Sequence, residues 1–158
     1  MDWGGWAVFG LVATTGLTAV MIAAQLAGRT RLDLPLILGT MTSADPDRAR
    51  VSGFGIHLVI GQIFALFYAA GFAALDRSDW WLGALFGLAH AVVALTVLVP
   101  LLPGVHPRMA SDRAGPDSTA LLEPPGLAAL NYGTATPLVA AGAHVVYGAV
   151  LGLLLESG

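Results

Sequence analysis

The chain has 158 residues, 56% of them hydrophobic and only 11% charged, with a mean hydropathy of +0.77 and a formal net charge of −3. That balance excludes an ordinary soluble domain and reads as an all-α integral membrane protein, a single transmembrane domain over 1–158. The lack of lysine leaves no basic face for nucleic acid, and the lack of cysteine excludes disulfides, iron–sulfur clusters and thiolate zinc sites.

A hydrocarbon core of about 30 Å needs roughly 20 helical residues, and four apolar runs of that length fall near 5–27, 52–75, 80–103 and 136–155. No basic residue precedes the first run, so it reads as a retained span rather than a signal peptide. The loop after it carries Arg29, Arg31, Arg48 and Arg50. It also holds Leu34 to Met41, apolar but too short to span, and therefore expected to lie in the interface or re-enter. The second run contains His57 and the third His90, joined by a short connection with Arg77 alone. A long loop at about 104–135 follows, with His106, Arg108, Asp112, Arg113 and Glu123. Its apolar half, Leu121 to Leu130, predicts a packed cap over the mouth of the helices. His144 lies in the fourth run.

Arginine excess in the first and third loops predicts that both face the cytoplasm, with both termini outside, in a multi-pass protein of a bacterial inner membrane. Trp3, Trp6, Trp80 and Trp81 gather at the predicted outer ends, where indole rings favour the interface.

Two segments nearly repeat one another: Gly55-Ile56-His57-Leu58-Val59-Ile60-Gly61 and Gly142-Ala143-His144-Val145-Val146-Tyr147-Gly148. A second echo pairs Trp3 to Leu11 with Trp80 to Leu88. Together they predict two helical hairpins of the same topology, repeat 1 at about 3–75 and repeat 2 at about 80–155. These would form a four-helix bundle with a pseudo-twofold axis along the membrane normal. Small residues one turn from each histidine, and G-x-x-x-G at Gly83/Gly87 and Gly148/Gly152, mark faces where helices approach closely. His57 and His144 would then face protein at matching depth, on opposite sides of the axis.

Intramembrane histidines point either to hydrogen bonds between helices or to ligation. The chemical reading of the pair is bis-imidazole ligation of haem b, with Gly61 and Gly148 giving clearance for the porphyrin. A transition-metal site would draw on His57, His144, His90 and His106, with Asp112 or Glu123 in reserve. Candidate hydrogen-bond partners for the histidines are Thr14, Thr15, Thr18, Gln25, Gln62 and Thr96.

His106-Pro107-Arg108-Met109 after the third run and Ala143-His144-Val145-Val146-Tyr147-Gly148 in the fourth resemble a family of small four-span bacterial membrane proteins with no agreed activity. The resemblance implies a four-helix fold and no functional residue. The leading expectation is a non-catalytic accessory or scaffold subunit of a larger inner-membrane complex, packed against lipid and against other membrane subunits or a second copy. A haem or metal protein built on the paired histidines is the alternative, and a small transporter the second. No nucleophile–base pair, zinc-protease motif or phosphate loop appears, so an enzyme is disfavoured.

Overall fold

The computed structural model describes residues 3–111 and 122–155, and among these there are helices and no strands. In chain order they are α1 (Trp3–Leu26), α2 (Leu34–Gly39), α3 (Pro46–Ala74) and α4 (Trp80–Val93). A π-helical turn (Ala94–Leu98), α5 (Val99–Val105), a 3₁₀ segment (Leu127–Tyr132) and α6 (Thr136–Leu154) follow. Four stretches, Gly4–Leu26, Pro46–Ala74, Trp80–Val105 and Thr136–Leu154, are helices long and apolar enough to cross a membrane, which makes this a membrane protein.

The second of these begins six residues before the apolar run does, because its start is set by capping rather than by hydropathy. Asp45 accepts a hydrogen bond from the Arg48 amide at 2.9 Å, and Pro46 occupies the first helical position, where a missing N–H costs nothing. Arg48 and Arg50 are therefore helical rather than loop residues. The third stretch is interrupted for the opposite reason. Pro100 and Pro103 cannot donate to the preceding turn, and the helix widens to π geometry just before them.

Leu34 to Gly39 forms a short helix docked on the start of α3. Asp33 caps it through the Leu36 amide at 2.9 Å and also binds Arg50 at 2.9 Å, while Pro35, Ile37 and Leu38 are buried. The contact is backbone to backbone: a Cβ on Gly53 would stand 1.8 Å from the Pro35 carbonyl oxygen.

Helix α6 packs against both α1 and α4, and α1 also packs against α3. Gly83 and Gly87 of α4 meet Gly148 and Gly152 of α6 so closely that a Cβ on Gly148 would lie 1.9 Å from the Gly83 carbonyl oxygen. Helices α3 and α4 face each other differently, through the rings of Phe64, Tyr68, Phe72, Phe86 and His90.

One end of the bundle carries a cap made by the first and third loops. Thr30 and Thr136 share a hydrogen bond of 2.7 Å, the Arg31 amide donates to the Tyr132 carbonyl at 2.7 Å, and the Arg31 guanidinium pairs with Glu123 at 3.2 Å. The Tyr132 hydroxyl donates to the Glu123 carbonyl. Burial, reinforced by the Glu123 carboxylate and opposed by Arg31, pushes its pKa up to about 12. The predicted cap is thus present in its described part; Asp112, Arg113 and Leu121 lie outside the described residues.

Candidate functional site

Where the glycine-packed and ring-packed faces meet, α1, α2, α3, α4, α5 and α6 line a half-open chamber of about 230 Å³. Its walls are almost wholly apolar, with Leu17, Met21, Leu32, Leu38, Ile60, Leu95 and Leu102 among them. The polar exceptions are Thr14, Tyr147 and three histidines: His57 from α3, His90 from α4 and His144 from α6.

Each imidazole is anchored through Nδ1. The Thr18 hydroxyl gives its hydrogen to the Thr14 carbonyl at 2.8 Å, so its oxygen is left to accept from His57 Nδ1 at 3.0 Å. His144 Nδ1 lies 2.8 Å from the Ala140 carbonyl one turn back, an oxygen that can only accept. Both contacts assign the neutral ring's hydrogen to Nδ1 and leave Nε2 a bare lone pair. Among the described residues no hydrogen bond engages either Nε2. Gln62 Oε1 is the sealed polar side-chain atom without a partner among them, so the two imidazole nitrogens open onto free space.

His90 is held by its neighbours' rings. It stacks on Phe64 at 3.9 Å, its Nδ1 sits 3.3 Å from the Tyr68 hydroxyl, and the His144 ring meets it edge to face at 4.6 Å. The Tyr147 hydroxyl reaches across the bundle to the Gly61 carbonyl at 2.6 Å, fixing the wall between His57 and His144.

The repeated motif is therefore used unequally. His144 has His90 as its ring partner, whereas His57 is tied to α1. His57 lies about 10 Å along α3 from Phe64, which stacks on His90, because seven residues separate them at 1.5 Å each.

The four histidines named as metal candidates do not come together. His106 sits in the cap, where Nε2 donates to the Ile37 carbonyl at 2.9 Å and Nδ1 accepts from the Arg108 amide at 3.1 Å. Arg108 in turn donates to the Thr40 carbonyl at 2.7 Å, so His106-Pro107-Arg108 clamps the end of α2. Among the described residues no three or more His, Asp or Glu are grouped closely enough to hold a metal ion. Glu123 is engaged in the cap and Asp112 lies outside the described residues.

The glycines suggested as haem clearance are already filled by protein. A Cβ on Gly61 would lie 1.9 Å from Thr14 Oγ1, and the space beside Gly148 belongs to α4. An apolar cavity of about 150 Å³ takes a benzene ring, so about 230 Å³ holds one substituted ring and not a porphyrin. The residues do not fit haem.

Tyr68, Phe64, Met21 and Tyr147 contribute to the site without having been singled out in the sequence. Only Tyr147 carried a signal, as part of the repeated motif. Set against family models, curated proteins and solved structures, the chain matches none.

Proposed function

We propose that this is a multi-pass membrane protein that binds a small neutral ligand inside the bilayer, in the chamber between His57, His90 and His144. The observation that carries the reading is a pair of imidazole Nε2 lone pairs, of His57 and His144, left unengaged among apolar walls. Polar groups at membrane depth are costly unless satisfied or used. Two acceptors held ready by Nδ1 anchors ask for a hydrogen-bond donor. No carboxylate lines the chamber, so a charged donor would find no counter-ion there.

The accessory-subunit expectation leaned on the G-x-x-x-G faces, and these are consumed within the chain by the contact of α4 with α6. Arginine bias supports the cytoplasmic placement of the capped end, in a bacterial inner membrane with both termini outside. The motif echo supports descent from a duplicated hairpin whose halves have since diverged. Because the chain has no cysteine, Ser43→Cys and Ser78→Cys labelling in intact cells and inverted vesicles tests the topology directly. Ser78 should react from outside and Ser43 only from within.

For the ligand, protein purified in mild detergent is extracted and analysed by mass spectrometry for organic molecules and for metals. A stoichiometric small molecule in the native protein, lost in the folded His57→Ala/His144→Ala variant, is the expected result. A native protein free of any bound molecule, with no thermal stabilisation by added phenols, would sink the reading. Stoichiometric metal lost in the same variant would instead favour ligation by the paired histidines.

A further inference from the structure

Outside the chamber, between α3 and α4, lies an open groove of about 420 Å³ walled by Phe64, Phe67, Tyr68, Phe86, Ala89 and His90. Phe67 and Ala89 are exposed on the outer surface, so the groove opens away from the bundle, towards hydrocarbon if the helices span. Phe64 and His90 wall both spaces, and their rings stack at 3.9 Å, so the partition between groove and chamber is one stacked pair. The helix bearing His90 turns π-helical four residues later, at Ala94, and Ala94, Leu95 and Leu98 of that turn line the chamber. Such turns interrupt the regular hydrogen-bond ladder and recur beside functional sites.

We infer, resting on the chamber reading above, that the ligand is an amphipathic phenol or quinol that enters from the hydrocarbon between α3 and α4, with its hydroxylated ring in the chamber and its apolar tail in the groove. Three observations converge on that class. The chamber has the volume of one substituted ring, as judged against the roughly 150 Å³ that suffices for benzene. Its unengaged polar atoms are acceptors, which a neutral hydroxyl satisfies and a quaternary or ether head does not. A tail longer than the chamber must leave it, and the groove shares a wall with the chamber and is itself lined by rings and apolar side chains.

The test uses the full chain in phosphatidylcholine nanodiscs, with histidine imidazoles labelled by ¹⁵N. Phenol, 4-dodecylphenol, dodecanoic acid and dodecane are titrated at matched mole fraction in the lipid. Phenol and 4-dodecylphenol should both move the Nε2 resonance of His144, and neither should bind the His144→Ala variant. Ala89→Phe, which fills the groove from its exposed face without entering the chamber, should weaken 4-dodecylphenol about tenfold and phenol by less than about twofold. Val93→Phe, on the same outer face, provides the same comparison should Ala89→Phe not fold. If both groove variants leave 4-dodecylphenol unaffected while phenol still requires His144, the tail does not lie in the groove. The lateral route then fails, and the chamber reading stands. Dodecanoic acid binding as tightly as 4-dodecylphenol would overturn the ring-hydroxyl class. Absence of any response to phenol and 4-dodecylphenol overturns the inference outright, and the chamber reading then rests on the co-purification result alone.

Discussion

Helix α4 has two neighbours and treats them in opposite ways. Against α6 it presents Gly83 and Gly87, and the two backbones touch. Towards α3 it presents Phe86 and His90, and rings hold the helices apart. The first contact gains dispersion along its whole length and excludes everything else, as small-residue packing does in membrane helices. The second is built from large rigid side chains whose edges cannot tile a helix surface without gaps, and both the chamber and the groove occur along it. Space for a ligand lies beside the rings, and none of the four glycines of the α4–α6 contact lines it.

The same atomic change on each side should expose that contrast most strongly. In Gly148→Ala the new methyl meets the Gly83 carbonyl oxygen at 1.9 Å, backbone against backbone, and nothing can turn aside. A loss of roughly 3 kcal/mol is expected, at the severe end of overpacking. In Gly71→Ala the methyl meets a ring carbon of Phe86 at 2.7 Å, which can swing into the groove, so the cost should stay below about 1 kcal/mol. Unfolding curves in mixed micelles measure both. Equal losses would mean that the two faces are packed alike.

How much of this was legible beforehand depended on the kind of signal. Glycine spacing and apolar length are periodic properties of one segment, so the four long helices and the closeness of α4 to α6 could be read from the chain. The pairing of His144 with His90 depends on the register of α6 along α4, and the stacking of His90 on Phe64 on how far α3 slides along α4, neither of which a single segment encodes. The repeat predicts that His144 faces His57, and the two line the same chamber together with His90. His106 looked like a ligand by residue type alone; its two nitrogens are spent on the Ile37 carbonyl and the Arg108 amide, partners that appear only once the loop folds back. Thr18 was on the list of plausible partners for histidine. Tyr68 was not, because aromatic residues in apolar helices are too common to stand out.

Hydroxyl deletions probe the same contrast more gently. Tyr147→Phe removes a fully buried hydrogen bond of 2.6 Å from α6 to the Gly61 carbonyl and should cost about 1–2 kcal/mol. Tyr68→Phe removes the longer 3.3 Å contact to His90 at the ring-packed face, where less than about 1 kcal/mol is expected. Thr18→Val leaves His57 Nδ1 without its acceptor and should fall near 1 kcal/mol while shifting the ring's tautomer, visible in its ¹⁵N resonances. A tautomer unchanged in Thr18→Val would mean that Thr18 does not set it.

The cap touches neither face and so serves as their control. Tyr132→Phe removes the hydrogen bond to the Glu123 carbonyl and should cost about 1 kcal/mol near neutral pH. The folded protein holds the Tyr132 pKa at about 12, above the ordinary value near 10. A raised folded-state pKa means that folding favours the neutral phenol. Its contribution is therefore complete below about pH 10 and is lost as pH climbs through about 12. Native protein and Tyr132→Phe should accordingly converge in stability across that window. The Gly148→Ala deficit should persist over the same range, since no ionisable group takes part in that contact. A Tyr132→Phe deficit that stayed constant to pH 12 would show that the hydroxyl acts through packing alone, not as the neutral donor that ties the third loop together.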